Sequence, residues 1–505
     1  MAIELGIGRP LASGGKAVNN SGKEQRESPM DQASAAMLQA LERQRAAFTA
    51  AMPEPLSARR DRIERAIALL VEHQAELAAA ASADFGHRST EQTLLTDILP
   101  SVSALKHARG HLKRWARGER RATLFPLGLI GGRSRIEYQP KGVIGIIAPW
   151  NFPIGMVMAP LAGVLAAGNR ALIKPSEFTP RVSDLLADLI AQRFAPEEVA
   201  VFTGGVEVGT AFAALPFDHL VFTGATSVGK HVMRAAAENL VPVTLELGGK
   251  SPTIVSRSAD LPRAAERIAL GKMMNAGQIC LAPDYLLVPR EREGAVIDAL
   301  REGVTRMYPT LLANDDYTSV INARHRARLE AHLADALAKG AEAIEVNPAG
   351  EDFAASNRNK LPLTILRNVD DGMTVMQEEI FGPILPVVPY DTIEAVIAYI
   401  NARPRPLGLY WFGRDRAEER QVLSRTLSGG VTINDVVFHV TMDDLPFGGI
   451  GPSGMGHYHG IEGFRSFSHA RSIYRQSPLD VAALAGLKPP YGKLTRITLQ
   501  RELRK

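Results

Sequence analysis

The sequence predicts an α/β protein: a Rossmann-type, doubly wound parallel sheet followed by a second α/β domain. Two patterns carry that prediction. Across residues 142–247 short apolar runs alternate with helix-like segments, as parallel strands buried on both faces do. The same alternation resumes over residues 248–430. The length agrees, because 505 residues exceed a single domain of about 150.

In chain order, residues 1–30 are rich in Gly, Ser, Asn and Lys and read as a flexible arm. Helical periodicity starts at Asp31, a residue suited to capping, and runs through Leu38, Leu41 and Phe48. A second long helix is predicted over 56–81, where Ile63, Ile67, Leu70 and Val71 recur at three- and four-residue steps. Residues 121–139 combine Pro126, Gly128, Gly131 and Gly132 with an alternating run, which predicts a projecting hairpin. Five strands then follow at 142–148, 171–174, 199–203, 220–223 and 241–245, each entering a turn before the next helix. Right-handed crossovers put those turns along one sheet edge, where open α/β sheets bind ligands. Four further strands are predicted at 253–255, 285–288, 361–366 and 409–412. No repeat of solenoid or propeller period is present.

Composition narrows the function classes. Hydrophobic residues at 46% and charged residues at 22% fit a globular chain and exclude a disordered one. The +4 net charge is spread over a large surface, so nucleic acid is not an expected partner despite a pI near 9.1. One cysteine cannot form an intramolecular disulfide, and the first 30 residues lack the apolar core of a signal peptide. No run approaches the ~18 to 20 apolar residues of a membrane span. A cytoplasmic protein is expected, with no bound metal.

Three short segments could carry chemistry. Cys280 lies in Asn275-Ala276-Gly277-Gln278-Ile279-Cys280, where apolar neighbours suit an inert buried thiol and the glycine suits close backbone approach. Upstream, Glu246 closes an apolar strand; a carboxylate there is costly to bury unless it is paired or used. Its alternatives are therefore a salt bridge to Lys250 or a working role in the crevice. Asn151 sits in Pro149-Trp150-Asn151-Phe152-Pro153, where it can bond its own turn or donate its amide to an oxyanion.

Together these segments resemble the aldehyde dehydrogenase family. The resemblance runs from about residue 35 to 476 and includes, in family order, the Asn151 loop, Lys174-Pro175-Ser176-Glu177, residues 222–229, the Glu246 and Cys280 segments, and Glu378-Glu379-Ile380-Phe381-Gly382-Pro383. It implies an aldehyde dehydrogenase-like fold with an NAD(P)-binding domain at 31–120 and 140–247 and a catalytic domain at 248–430. Residues 431–459 would return along the active site. Residues 121–139 and 460–505 would form an oligomerisation hairpin and tail, giving a homodimer.

The implied reaction oxidises an aldehyde to a carboxylic acid. Cys280 would attack the carbonyl, Asn151 and the Cys280 backbone N–H would hold the oxyanion, and Glu246 would activate the water that hydrolyses the thioester. Relatives that transfer the acyl group to coenzyme A usually lack this glutamate. A free thiol with a pKa near about 8.5 is only a few per cent ionised at neutrality, so the site must favour the thiolate or take the proton as substrate binds.

For the cofactor, Gly224 to Gly229 is only a Gly-x-x-x-x-Gly spacing. The resemblance adds Trp150, Ser176, Thr223, Gly224, Ser227 and Gly229 as cofactor-binding residues, with the pyrophosphate at the following helix N-terminus. Ala225 departs from the family's frequent serine. Lys174 and Glu177 would contact the adenosine ribose, where the carboxylate disfavours a 2′-phosphate and so favours NAD over NADP. Glu379 would hold the nicotinamide ribose beside Phe381; a solvated charged turn is the alternative for Glu378-Glu379.

Residues 280–285 and 443–456 resemble the class 3 branch, particularly its bacterial members acting on coniferyl aldehyde, which implies aromatic or medium-chain substrates. The tail carries Lys493, Arg496, Arg501, Arg504 and Lys505 where membrane-bound relatives have an apolar anchor; a basic helix touching anionic lipid is the minor alternative. A catalytically silent binding protein and a cysteine esterase are the competing functions.

Overall fold

The computed structural model describes residues 29–504 other than 126, 357 and 485, so the predicted N-terminal arm lies almost wholly outside the described residues. The first helix, Pro29–Ala50, begins ahead of Asp31. Asp31 is thus inside the first turn and is not the cap, since a proline's fixed φ already suits a helix start. Met37 and Leu41 face the core, whereas Leu38 faces outward. The single helix expected over 56–81 is two, Leu56–Glu72 and Gln74–Phe85, broken at His73 with φ −110° and ψ 18°. The break turns Leu77, Ala78, Ala81 and Phe85 into the core and leaves Val71 exposed.

A six-stranded sheet positions most of the site. Its order is Gly454–Met455, Val243–Leu247, His219–Gly224, Val143–Ile147, Arg170–Lys174 and Val199–Val201. The last five are parallel and match the five predicted strands within two residues at each end. Their apolar residues are buried by helices on both faces, including Gly155–Ala167, which lies almost fully inside. At Gly145 a Cβ would come within 2.8 Å of Phe217 and Leu220, so a larger residue would push layers apart that are packed at crystal-like density.

The prediction of an all-parallel sheet needs one correction. Gly454–Met455 returns from the second domain and pairs antiparallel with Val243–Leu247, setting Gly454 opposite Glu246. Gly454 has φ 138°, and a Cβ there would lie 2.1 Å from the Leu245 carbonyl. Only glycine fits.

The second domain holds a seven-stranded sheet in the order Glu342–Val346, Leu363–Arg367, Ile384–Tyr390, Tyr285–Pro289, Pro252–Val255, Gly408–Phe412, Gly430–Ile433. Four of these were predicted and three were not. Glu342–Val346 is a charged, mostly exposed antiparallel edge, Ile384–Tyr390 contains two prolines, and Gly430–Ile433 is a four-residue edge strand. All three lack the uninterrupted apolar run that marks a central strand.

The hairpin expected at 121–139 forms from Glu119–Arg121 and Arg133–Pro140, and Ser468–Arg475 joins it antiparallel as a third strand. Two short helices, Val481–Leu484 and Lys493–Glu502, complete the described chain and leave Leu484, Leu494, Ile497 and Leu503 exposed. Among the described residues no helix is long and apolar enough to cross a membrane, and no group of His, Cys, Asp and Glu could hold a metal ion.

Candidate active site

The loop carrying Cys280 is held in an unusual backbone conformation. Asn275, Ala276 and Gly277 have successive φ values of 50°, 53° and 74°, all left-handed. Two non-glycine residues in that region cost on the order of 1–3 kcal/mol each unless the surroundings fix them. The surroundings do so: Gln278 donates to the Asn275 and Ser319 carbonyls at 2.8 and 3.0 Å and accepts from the Ile321 amide at 2.9 Å. Gly277 is pressed to the Gly382 carbonyl, which a Cβ would approach to 2.4 Å. The loop therefore delivers Cys280 on a rigid support with part of its surface still accessible.

Glu246 stands at the end of its strand and is 1% exposed. Lys250 is not its partner, because that ammonium donates to Asp284 and to the Val375 and Glu378 carbonyls. Neither Glu246 oxygen has a hydrogen-bond partner. Burial pushes the carboxyl up to about 7. The Cys280 thiol opposes that shift, approaching without closing a well-formed bond. The thiol itself is pushed well above its ordinary value, first by burial and then by the Glu246 and Glu379 carboxylates.

Asn151 reaches the same place from the loop that follows the strand Val143–Ile147. It is 4% exposed, and its Nδ2 donates to the Gln278 carbonyl at 3.1 Å, two residues before the sulfur. The carbonyl of Asn151 accepts from Arg88 at 3.0 Å and from the Asn275 side chain at 3.1 Å. Its side chain thus bonds across to the cysteine loop and not to its own turn; the second N–H of the amide is not used in that bond.

The predicted cofactor residues line the neighbouring strand ends. Lys174 is 3% exposed and donates to the Pro175 carbonyl at 2.8 Å and to exposed Glu177 at 3.3 Å. Ser176 is buried, and its hydroxyl accepts from the Phe178 amide at 3.2 Å. Thr223 and Gly224 end their strand, and helix Thr226–Ala237 starts two residues later with no side chain capping it. Ser227 is exposed in its first turn, while Gly229 is buried where a Cβ would come within 2.7 Å of Leu247. Trp150 and Phe381 meet edge to face at 5.3 Å between ring centres.

Glu378 is exposed, as a solvated turn would have it, but Glu379 is not. Its carboxyl faces Gly248, where a Cβ would fall 1.9 Å from Oε2, and its Oε1 is buried without a partner. Burial and then Asp284 push it up to about 8.

Several groups beside the site escaped sequence reasoning. Lys272 is fully buried with a free ammonium, pulled down to about 8 by burial. A charge inside the apolar run before Cys280 was the available signal. Tyr458, 1% exposed, lies within electrostatic reach of Glu246 and Cys280. Arg88 and Asp97 are fully buried behind the Asn151 loop. Nothing in their own sequence neighbourhood marks them.

This fold and the meeting of thiol, buried carboxyl and proline-flanked amide define an enzyme class. The chain belongs to the aldehyde dehydrogenase family, which it matches over residues 16–473, and is an NAD(P)-dependent oxidoreductase. Among its relatives, a probable coniferyl aldehyde dehydrogenase of Caulobacter vibrioides is 56% identical over 93% of this chain and 97% of its own length. A coniferyl aldehyde dehydrogenase of Pseudomonas sp. is 54% identical over 90% and 93% respectively. In structure, the substrate-bound AldH of Staphylococcus aureus superposes with a TM-score of 0.85 at 36% identity, covering 92% of this chain and 99% of that one.

Proposed function

We propose that the enzyme oxidises an aromatic aldehyde of the coniferaldehyde type to its acid, with NAD preferred, as a cytoplasmic homodimer. The single observation that carries the chemistry is Glu246: a buried carboxyl with no protein partner, beside the only thiol. Unpaired carboxyls near pKa 7 in an apolar site are suited to general-base work.

The uncapped N-terminus of helix Thr226–Ala237, the partnerless Glu379 oxygen and the Lys174–Glu177 pair fit a dinucleotide's phosphate and ribose groups. Ala225 leaves backbone N–H groups there free for phosphate. When bound, the dinucleotide supplies the acceptor for hydride.

The chain's own residues do the rest. Because the thiol is held neutral, the second activation route is the better supported: Glu246 takes the Cys280 proton as substrate arrives. Sulfur adds to the carbonyl carbon, and the carbonyl pair moves to oxygen, within reach of the Asn151 amide and the Cys280 backbone N–H. After hydride leaves that carbon a thioester remains. Glu246 passes the first proton to solvent and then takes another from water, whose oxygen attacks the thioester; the C–S bond breaks, releasing the acid and a thiolate that recovers its proton from Glu246.

Substrate choice rests on the two relatives above, which are named for coniferyl aldehyde. The homodimer rests on the three-stranded sheet, whose hairpin loop exposes Leu124, Phe125 and Leu129. The test is the NADH yield from coniferaldehyde, benzaldehyde, hexanal and succinic semialdehyde with NAD and with NADP. The reading predicts the highest kcat/KM for coniferaldehyde with NAD, and preference for succinic semialdehyde would overturn the substrate assignment.

A further inference from the structure

Behind the Asn151 loop lies an ion pair that the chemistry above does not use. Arg88 and Asp97 are both fully buried, with Nη2 and Oδ2 3.5 Å apart. Each also holds the backbone of the loop. Arg88 Nη1 donates to the Asn151 carbonyl at 3.0 Å, and Asp97 Oδ1 accepts from the Gly155 amide. The guanidinium is wedged between two rings, 5.0 Å from the centre of Phe85 and 5.3 Å from that of Phe152, itself a loop residue. A Cβ on Gly155 would lie 2.9 Å from Asp97 Oδ1, so the carboxylate is fitted to this backbone.

The segment carrying Asp97 is unusual. Leu94–Ile98 is a turn of π-helix set between α-helical stretches, a distortion found frequently at functional sites. From the α-helical turn just before it, Thr90–Thr93, Gln92 accepts from the Asn275 amide at 3.3 Å and donates to Thr96 at 2.8 Å, while Arg88 reaches Thr96 at 3.4 Å. One short stretch therefore grips both the Asn151 loop and the cysteine loop. Stability does not account for it. A buried ion pair is often no better for stability than apolar residues of the same volume, and here Arg88 Nε and Asp97 Oδ2 lack hydrogen-bond partners.

We propose that Arg88 and Asp97 are positioning residues for the oxyanion donor, fixing its loop at the Asn151 carbonyl and at the Gly155 amide where the next helix starts, so that the Asn151 amide meets the developing charge. This rests on the reading of Asn151 as that donor. Preorganised donors are effective only when held in place, and a shift near 1 Å can cost about 100-fold in rate.

The test is the pre-steady-state NADH burst of the full-length enzyme, with NAD affinity and thermal unfolding as controls. Asp97→Asn keeps the acceptor for Gly155 but removes the charge that holds Arg88; Arg88→Lys keeps the charge but loses the fork, and serves if the first variant does not fold. Either single change should slow the burst about 10- to 100-fold with NAD affinity unchanged. In an Asn151→Ala background the same change should cost less than about threefold more, because residues acting through one group are not additive. Multiplying losses, or a normal burst in both single variants, overturn the proposal. A normal burst in Asn151→Ala alone removes the oxyanion reading, and the pair's role with it.

Discussion

Glu246 and Cys280 act on each other in opposite directions: the carboxylate raises the thiol, whereas the thiol draws the carboxyl down against the burial that pushes it up to about 7. Such a pair holds one negative charge more easily than two. Whichever group is ionised, its neighbour is neutral and able to receive or give a proton. The two half-reactions need that alternation, with a thiolate in the first and a carboxylate base in the second.

The first prediction separates those halves. Glu246→Gln should form an NADH burst close to one per active site, more slowly than the wild type because the Cys280 proton has lost its acceptor, and then stall, with steady-state turnover down about 10²- to 10⁴-fold, the usual contribution of a general base. In the wild type the turnover limited by deacylation should fall as pH drops through about 7, because the protonated carboxyl cannot accept from water. A stopped-flow series from pH 5.5 to 9 measures both. Unchanged steady-state turnover in the variant would remove the base assignment.

Burial of the same carboxyl also predicts a stability profile. The folded value near 7 lies above the ordinary 4.5, so its contribution is fully present below about pH 4.5 and is lost as pH rises through 7. At roughly 1.4 kcal/mol per pH unit, the ionised carboxylate costs the native state about 3 kcal/mol above pH 7. Glu379, raised to about 8, acts in the same direction. Glu246→Gln should therefore melt above the wild type at pH 9, and the gap should close on acidification. Equal melting temperatures at pH 9 would contradict the burial argument.

Cys280 gives an independent reading of the same field. A thiol pushed up by burial and two carboxylates should react slowly with iodoacetamide in the cofactor-free enzyme at pH 7, more slowly than a free thiol with a pKa of about 8.5. Alkylation should quicken in Glu246→Gln, where one carboxylate is gone. Since the chain has a single cysteine, intact-mass spectrometry counts the modification without ambiguity.

The five parallel strands of the first sheet were legible because strands such as Val143–Ile147 are continuous apolar runs ended by Gly or Pro, which local pattern reveals. Short motifs marked Asn151 and Glu246 at those strand ends and Cys280 in its loop, the three groups the structure brings together. What surrounds them was not legible. Lys250 has its partner in Asp284, not in nearby Glu246, and Arg88 reaches Asn151 across 63 positions. Such pairings are set by how helices and loops pack, which no window of the sequence contains. The antiparallel return of Gly454 beside Glu246 was hidden for the same reason.

The final prediction concerns cofactor choice. Glu177 is exposed and held at 3.3 Å by buried Lys174, at the end of the strand Arg170–Lys174. Placed against an adenosine ribose, the pair offers an acceptor for one hydroxyl and a donor for the other, and its carboxylate repels a 2′-phosphate. Glu177→Gln keeps the size and removes the charge. Lys174 is then left without its counter-ion and free to attract phosphate. The variant should raise the ratio of kcat/KM for NADP to that for NAD by about 10-fold or more, a change near 1.4 kcal/mol, chiefly through a lower KM for NADP. The measurement is initial NADH or NADPH formation over a range of each cofactor at saturating aldehyde. A ratio that stays fixed while both values fall together would show Glu177 to be a general support of the loop, with no part in discrimination.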